Sequence, residues 1–180
     1  MQLYLVRHTQ PIVVPGLCYG RTDLQADPAL LAGALPPLRE RLPQEAPVFS
    51  SPLQRCTALA HALAPDVCID PRLVELDFGT WEMMPWDRIA RAEIDAWAAN
   101  VATYPPGGGE SVLQMARRIS EFYDDLVARN PRCAIIICHA GSMRLLAARH
   151  RGLAPTAMAH EAAARPHAIS YGEIMVLGGV

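Results

Sequence analysis

The segment at residues 134–138 constrains the fold of this chain more than any other feature of the sequence. It reads Ala-Ile-Ile-Ile-Cys, an apolar run without alternating polar residues. Such a run is typical of a strand that is covered on both faces, as in a parallel sheet between helices. Four further short apolar segments predict strands at residues 3–6, 47–50, 67–69 and 174–177.

Stretches with helical character separate these segments. Residues 110–129 carry an apolar stripe with helical spacing, and residues 53–63 follow Ser-Ser-Pro, a favourable helix start. Residues 142–151 predict a shorter helix, and residues 29–42 predict another despite the Pro-Pro pair in their middle. The alternation of strands and helices favours a layered α/β domain. We expect one domain over residues 1–180, with residues 85–109 as an excursion that forms a cap or roof.

Composition and charge narrow the class of protein. The chain has 180 residues and a net charge of −2, and all 16 of its basic residues are arginine. This balance argues against a nucleic-acid-binding protein, which usually shows a basic surface. No apolar run approaches the roughly 20 residues that span a bilayer. Met1 leads directly into a predicted strand, so we expect no signal peptide and a cytoplasmic location.

The cysteine and histidine spacings do not indicate a metal site. The five cysteines include no CxxC pair, and no H-x-H or H-E-x-x-H spacing is present. We therefore expect reduced thiols, no disulfide framework, no metal and no cofactor.

Two of the predicted strands end in similar ways. One leads into Arg7-His8, and another leads into His139. A third strand ends at Ser-Ser-Pro, and Arg55 lies in the first turn of the helix that follows. In open α/β sheets, ligands bind beyond the carboxyl ends of the strands, and helix N-termini favour anions. Two imidazoles and two guanidiniums at this edge indicate a phosphate site.

Five segments that follow one another along the chain resemble the histidine phosphatase superfamily, whose fold is called phosphoglycerate mutase-like. Residues 7–9 (R-H-T) resemble its R-H-G motif. Residues 50–58, 75–82, 108–111 and 138–144 resemble its S-x-x-x-R-A-x-x-T-A, E-x-x-x-G-x-W-E, G-G-E-S and S-H-G-G-x-x-R segments. The resemblance implies a three-layer α/β/α sandwich with a mostly parallel central sheet. It also implies a metal-independent phosphoric monoester hydrolase.

The resemblance implies roles for the candidate site residues. His8 would attack phosphorus through Nε2 and become phosphohistidine. Arg7, Arg55 and His139 would bind the phosphoryl oxygens and offset their charge in the transition state. Glu75 would protonate the leaving alkoxide and then activate water.

A second carboxylate, Glu82, competes with Glu75 for the role of the acid. We favour Glu75 because its spacing to Gly79 matches the family's acid. A structural carboxylate is the preferred interpretation of Glu82.

The chain departs from the family pattern at three positions. Thr9 and Ala140 stand where glycines commonly follow each histidine, and Met83 stands where a glycine often follows the W-E pair. Thr and Ala are small, so we expect the phosphate pocket to survive with less backbone freedom. The change at Met83 affects the expected loop conformation and not the chemistry.

The loop at residues 18–23 bears on the substrate. It reads Cys-Tyr-Gly-Arg-Thr-Asp, and a C-Y-G-x-T-D segment after R-H-T resembles bacterial α-ribazole phosphatases. The resemblance implies α-ribazole 5′-phosphate as substrate, in the assembly of cobalamin. The further substrate-binding candidates are Cys18, Tyr19, Gly20, Arg21, Thr22 and Trp86. Trp86, Trp97 and Tyr104 are candidates to stack on a flat base; packing within the protein is the alternative for all three, and for Cys18 and Tyr19.

Other functions of the same fold fit the sequence less well. Phosphoglycerate mutases of this fold carry longer insertions, and protein phosphohistidine phosphatases are shorter and more open. A broad-specificity small-molecule phosphatase stays an alternative. A non-catalytic binding protein is disfavoured because all five predicted catalytic residues are present. The expected partner is a small-molecule phosphate monoester, and no oligomeric state is predicted. His160 has no predicted role, and His167 is a minor candidate for the cleft.

Overall fold

The computed structural model describes residues 1–164 and 168–178. Within these residues lie five strands and six α-helices. The strands are β1 (Gln2–Arg7), β2 (Val48–Ser50), β3 (Val67–Ile69), β4 (Cys133–Cys138) and β5 (Ile174–Leu177). The helices are α1 (Pro28–Arg41), α2 (Gln54–Leu63), α3 (Arg91–Ala99), α4 (Val112–Ala128), α5 (Ala140–His150) and α6 (Pro155–Ala164). None of the described helices is long and apolar enough to cross a membrane.

The strands form one sheet in the order β3-β2-β4-β1-β5. β1 and β2 both pair with β4 in parallel, β2 also pairs with β3 in parallel, and β5 is antiparallel to β1. The mostly parallel sheet confirms the predicted fold class. In the register, Arg7 lies opposite Cys138, and Ser50 lies opposite Ile137. The residues that follow these three strands therefore leave the sheet at the same edge.

Both faces of the sheet are covered by helices. Ala134, Ile136 and Cys138 of β4 pack on one side in a core shared with α4, α5 and α6. Ile135 and Ile137 pack on the other side with α1 and α2. The apolar run in β4 does not alternate because every second side chain enters a different core. This arrangement is the three-layer sandwich that the sequence predicts.

Two helices, α3 and α6, are not predicted by the sequence patterns, whereas α1 agrees to within one residue with the helix predicted at residues 29–42. No residue of α3 is buried, and only Met158 and Ala159 of α6 are buried, so neither helix shows a clear apolar stripe. α1 continues through Pro36 and Pro37 and begins at a side-chain cap from Asp27.

Glycines hold the 75–82 and 106–109 segments against each other. Gly79 has a left-handed φ of 54°, and a Cβ placed there would lie 2.2 Å from the carbonyl oxygen of Gly107. A Cβ at Gly107 would lie 2.3 Å from the carbonyl oxygen of Phe78. A Cβ at Gly109 would likewise lie 2.3 Å from the carbonyl oxygen of Asp77, so close backbone contact explains why the motif segments at residues 75–82 and 108–111 both need glycine.

Met83 keeps the conformation that a glycine would adopt at its position. Its φ is 63°, and its backbone N–H donates to the carbonyl oxygen of Cys18 at 2.7 Å. The loop geometry therefore survives the loss of the family's glycine. A left-handed residue with a side chain costs about 1 kcal/mol relative to glycine.

Candidate active site

The carboxyl ends of β1 and β4 place two histidines side by side. His8 follows β1, His139 follows β4, and their ring centroids are 5.0 Å apart. The backbone N–H of His8 donates to the carbonyl oxygen of Cys138 at 3.0 Å, which extends the sheet register into the site. Both side chains are almost fully buried, with 2% and 1% exposed.

The protonation state of His8 follows from its contacts. Nδ1 lies 2.7 Å from the carbonyl oxygen of Thr9. A carbonyl oxygen only accepts hydrogen bonds, so Nδ1 carries the ring proton and Nε2 carries a lone pair. Burial, then the charges of Arg55 and Arg7, lower the pKa of His8 to about 3, although the bond to Thr9 opposes this shift. The imidazole is therefore neutral near pH 7 and able to act as a nucleophile.

His139 is held from the side of β2 and α2. Its Nε2 lies 2.9 Å from the hydroxyl oxygen of Ser51 and 3.5 Å from the sulfur of Cys56. Burial first, and then the nearby His8 and Arg55, hold the pKa of His139 well below its usual range. The sequence motifs include Ser51 and Cys56 but do not assign either of them a role. Their contact with His139 appears only when β2 and β4 are paired.

Both predicted phosphate-binding arginines are anchored by backbone carbonyls. Nη1 of Arg7 donates to the carbonyl oxygen of Ile169 at 2.5 Å. Arg55 is fully buried and donates to the carbonyl oxygens of Gly20 and Thr22. Neither guanidinium forms an ion pair with a carboxylate in the described part of the chain. Two positive charges thus lie beside two neutral imidazoles, an arrangement that favours an anion.

Glu75 reaches the site at the N-terminus of α5. Its Oε2 accepts the backbone N–H of Gly141 at 2.9 Å, and its Oε1 accepts the backbone N–H of Leu76 at 3.0 Å. A Cβ at Gly141 would lie 2.2 Å from Oε1 of Glu75, so only glycine permits this approach. The contact also sets the distance between the carboxylate and the helix that follows His139.

Arg118 on α4 supports the segment that carries Glu75. Its guanidinium donates to the carbonyl oxygens of Arg72, Val74 and Glu75 at 2.6, 2.8 and 3.2 Å. It also pairs with Glu110, the glutamate of the G-G-E-S motif, at 2.7 Å. The motif glutamate thus binds a structural arginine. Arg118 lies outside the family segments, and helical spacing alone gives no sign of this role.

Glu82 organises the loop that follows β1. Its carboxylate accepts the backbone N–H groups of Gly20, Arg21, Thr22 and Phe78 at 2.9 to 3.1 Å, together with the Thr22 hydroxyl. Burial raises the pKa of Glu82, but these hydrogen bonds outweigh it, and the net shift is downward. The carboxylate is therefore ionised and occupied in holding the loop.

One cavity of about 380 Å³ connects these groups. At one end, which we call the phosphate end, it is lined by Arg7, His8, Arg55, Glu75 and His139. At the other end, which we call the aromatic end, the lining is largely apolar. It consists of Leu17, Leu76, Phe78, Trp86, Trp97, Val101, Val112, Met115, Leu145 and Ala162, with Arg144 as the cation. Tyr19 also lines the cavity but lies beside the phosphate end, where its ring centroid is 5.7 Å from the guanidinium carbon of Arg55. Glu82 is not among the described residues that line it.

The predicted substrate loop is only partly at the cavity. Tyr19 lines it, whereas Cys18 is buried in a cluster with Trp81 and Ile89. Arg21 is exposed and lies 3.5 Å from Asp77. Gly20 and Thr22 contribute to the site through their backbone carbonyl oxygens, which accept hydrogen bonds from Arg55.

Of the three aromatic residues predicted to stack on a flat base, two line the cavity and one does not. Trp86 and Trp97 line the cavity and stack on each other, with ring centroids 6.2 Å apart and planes inclined by 19°. Tyr104 is not among the described lining residues. The stretch at residues 85–109 therefore supplies two aromatic side chains to the wall.

The other histidines lie away from this cavity or outside the described residues. His150 bonds to the hydroxyl of Tyr123 at 3.0 Å, and His160 is exposed on α6. His167 lies outside the described residues. Within residues 1–164 and 168–178, no three His, Cys, Asp or Glu side chains come together in a group that could hold a metal ion.

Comparison with known proteins gives a family and several relatives. The model of the histidine phosphatase superfamily (branch 1) matches residues 3–174. A candidate phosphoserine phosphatase of Hydrogenobacter thermophilus is 29% identical over 154 residues, which are 81% of this chain and 76% of that protein. A bifunctional protein of Mycobacterium tuberculosis is 36% identical over 109 residues, which are 56% of this chain and 30% of that protein. The match thus spans less than a third of that mycobacterial relative.

Solved structures share the fold over nearly the whole chain. A candidate α-ribazole-5′-P phosphatase of Escherichia coli K-12 aligns with a TM-score of 0.79 and 25% identity, over 98% of this chain and 89% of that one. A mycobacterial glucosyl-3-phosphoglycerate phosphatase aligns with a TM-score of 0.80 and 24% identity, over 97% and 88%. The second likeness shows the fold alone.

Proposed function

The chain belongs to the histidine phosphatase superfamily and is a phosphoric monoester hydrolase, and we propose that it acts through His8 on α-ribazole 5′-phosphate. The family match confirms the resemblance that the five motif segments indicate. One observation carries the proposed mechanism. A neutral His8, with its Nδ1 proton held by Thr9 at 2.7 Å, lies near two guanidiniums that have no carboxylate partner among the described residues.

The first half of the reaction transfers the phosphoryl group to the protein. Nε2 of His8 attacks phosphorus, an N–P bond forms, and the P–O bond to the leaving group breaks. Arg7, Arg55 and His139 bind the phosphoryl oxygens and offset the charge that develops on them. Glu75, protonated for this step, gives its proton to the leaving oxygen. The Thr9 carbonyl stabilises the positive charge that the ring acquires.

The second half returns the protein to its starting state. A water molecule attacks phosphorus and gives a proton to the Glu75 carboxylate. The N–P bond breaks, its electron pair returns to Nε2 of His8, and inorganic phosphate leaves. The two backbone N–H groups that bind Glu75 hold the carboxylate in one place for both steps.

The aromatic end of the cavity supports the choice of substrate. A flat, apolar base gains contact with Trp86, Trp97 and Phe78, and edge or face contacts with aromatic rings add to simple burial. A sugar or amino acid would place polar groups against this largely apolar wall, which costs free energy unless they are hydrogen-bonded. The name of the Escherichia coli structure supports the same choice.

A comparison of substrates tests this choice. We would measure kcat/KM for α-ribazole 5′-phosphate, phosphoserine, glucosyl-3-phosphoglycerate and p-nitrophenyl phosphate, and we expect the first to exceed the other two natural esters. A flat profile would instead indicate a broad-specificity phosphatase. A preference for phosphoserine would overturn the substrate and leave the mechanism in place.

The same reasoning extends to the protein's setting. We propose one domain over residues 1–180, in which residues 85–109 roof the cavity, since Trp86 and Trp97 both come from that stretch. All five cysteines are free, which suits the reducing cytoplasm. The proposed partner is a small molecule and neither nucleic acid nor membrane; cell fractionation and a nucleic-acid binding assay would test both points.

A further inference from the structure

Two tyrosines that are far apart in sequence meet beside the phosphate end of the cavity. The hydroxyl oxygens of Tyr19 and Tyr171 are 2.7 Å apart and share a hydrogen bond. Tyr19 lies in the loop after β1, and Tyr171 lies in the turn that leads into β5. The bond therefore joins the loop that follows the nucleophile to the C-terminal part of the described chain.

The turn at residues 169–173 holds Arg7 from several directions. The guanidinium carbon of Arg7 lies 3.9 Å from the centroid of the Tyr171 ring. The carbonyl oxygen of Ile169 accepts a hydrogen bond from Nη1. The backbone N–H of Arg7 donates to the carbonyl oxygen of Glu173 at 3.0 Å, and the backbone N–H of Gly172 donates to the carbonyl oxygen of Arg7 at 3.1 Å. Both the backbone and the side chain of Arg7 are thus fixed by this turn.

The loop of Tyr19 holds Arg55 in a comparable way. The two terminal nitrogens of Arg55 donate hydrogen bonds to the carbonyl oxygens of Thr22 and Gly20. The Tyr19 ring centroid lies 5.7 Å from the guanidinium carbon of Arg55. Each phosphate-binding arginine therefore has one tyrosine ring and one or two carbonyl oxygens as its support. The two supports touch each other at the tyrosine hydroxyls.

We propose that Tyr171 is a positioning residue that sets the arrangement of the two guanidiniums, through its ring on Arg7 and through its hydroxyl bond to Tyr19. The inference rests on the proposed function, in which Arg7 and Arg55 bind the same phosphoryl group. A guanidinium binds two oxygens only when its plane is correctly oriented. Donors that are already in place need no reorganisation as charge develops in the transition state.

Vanadate affinity and p-nitrophenyl phosphate kinetics test this role without any contribution from the natural leaving group. Tyr171→Leu removes both ring and hydroxyl, and we expect vanadate to bind about 10-fold more weakly, as for loss of a cation–π contact. We expect kcat to fall more than KM rises, because the arginines act mainly on the transition state. Tyr171→Trp, which restores an aromatic face, should recover most of the loss.

The hydroxyl bond is tested separately by a double-mutant cycle. Tyr171→Phe and Tyr19→Phe should each weaken vanadate binding about threefold, the usual effect of one lost hydrogen bond. The double variant should be no weaker than either single variant, because one bond is lost in all three. Tyr123→Phe is the matched control and should leave affinity unchanged, since the hydroxyl of Tyr123 bonds to His150 at the C-terminal end of α5, the opposite end from His139.

The outcomes separate this inference from the proposed function. If the unsubstituted protein neither binds vanadate nor hydrolyses p-nitrophenyl phosphate, the proposed function fails. If the unsubstituted protein does both, and Tyr171→Leu keeps the same melting temperature, vanadate affinity and kinetic constants, Tyr171 has no positioning role. Additive losses of vanadate affinity in the double-mutant cycle of Tyr171→Phe and Tyr19→Phe would exclude the coupling of the two arginines. The Phe variants also decide the case if Tyr171→Leu does not fold.

Discussion

The two ends of the cavity differ in how their side chains are held. At the phosphate end, His8, Arg55 and Glu75 are each tied to backbone groups by directional hydrogen bonds. At the aromatic end, Trp86 is 40% exposed, and it and Trp97 are held by ring contacts, which are less directional than hydrogen bonds. The difference indicates that the chemistry depends on fixed geometry, whereas substrate choice depends on contact area that substitutions can change gradually.

The phosphate end also works against folding. It places the fully buried guanidinium of Arg55 and the half-buried guanidinium of Arg7 beside two buried imidazoles. Burial first, and then these positive charges, lower the pKa of both histidines and keep them neutral. An arrangement of this kind is tolerated because an anionic substrate relieves it, and residues at such sites often reduce stability in the free protein. The aromatic end buries apolar surface and carries no such cost. Substitutions at the two ends should therefore have different effects on activity and stability.

The largest effect is expected at the nucleophile. His8→Ala should reduce turnover by about 10⁴-fold or more, because no neighbouring group can replace its Nε2. Base quenching of the unsubstituted protein should trap the phosphate on His8, whereas acid should release it, because the P–N bond of phosphohistidine is stable in base and labile in acid. His61→Ala, at an exposed position on α2, is the matched control. Near-normal turnover in His8→Ala would exclude the mechanism.

A smaller effect is expected at the proton donor, and it depends on the leaving group. Glu75→Gln should slow the hydrolysis of ribose esters by about 100-fold, yet hardly affect p-nitrophenyl phosphate, whose leaving group needs no proton. Glu82→Gln should lower both rates alike, because it disturbs the loop that supports Arg55. The ratio of the two rates in each variant is the measurement. A leaving-group dependence at Glu82 and none at Glu75 would reverse the assignment.

The buried histidines should make stability depend on pH. The pKa of His8 is about 3 in the folded protein and about 6.5 when unfolded, so between these values the unfolded chain binds one more proton. Stability should therefore decrease as the pH falls from 6.5 towards 4, by about 1.4 kcal/mol per pH unit for this residue. Urea unfolding of His8→Gln should show a shallower slope by that amount, with His61→Gln as control. An unchanged slope would mean that His8 is not neutralised by folding.

The smallest effect is expected at the aromatic end. Trp86→Ala and Trp97→Ala should each reduce the preference for α-ribazole 5′-phosphate over phosphoserine by about fivefold, since one aromatic contact contributes about 1 kcal/mol. Hydrolysis of p-nitrophenyl phosphate should change little. A loss that is equal for all esters would show that these rings support the phosphate end, and the contrast between the two ends would disappear.

The sequence predicts the parts of the site that follow directly from strand ends. Arg7 ends β1, and His8 and His139 directly follow β1 and β4, whose apolar patterns are clear; the parallel pairing of these two strands brings the three residues together. The sequence does not predict the role of the loop at residues 18–23, because the same residues are compatible with substrate contact and with packing inside the protein. Tyr19 reaches the cavity, whereas Cys18 packs against Trp81 and its neighbours. Only the path of the backbone separates these two cases.

The supporting residues could not be predicted because their partners are distant in sequence. Tyr171 is separated by 152 residues from Tyr19, and Arg118 by 43 to 46 residues from the carbonyl groups that it binds. Neither lies within a family segment, and neither has a local pattern that distinguishes it from an ordinary surface residue. Hydrogen bonds of this range depend on how whole layers pack.

The sequence alone determined the order along the chain of the five strands and of α1, α2, α4 and α5, because the periodicity of apolar residues reflects which faces are buried. It also determined that two histidines and two arginines would meet at one edge, because parallel strands end on the same side. The tertiary structure decided which of the two carboxylates lines the cavity. Glu82 accepts four backbone N–H groups and turns inward to the loop, while Glu75 approaches the N-terminus of α5 across a gap that only Gly141 leaves open. Both are glutamates in one motif, and only the three-dimensional positions of their hydrogen-bond donors distinguish them.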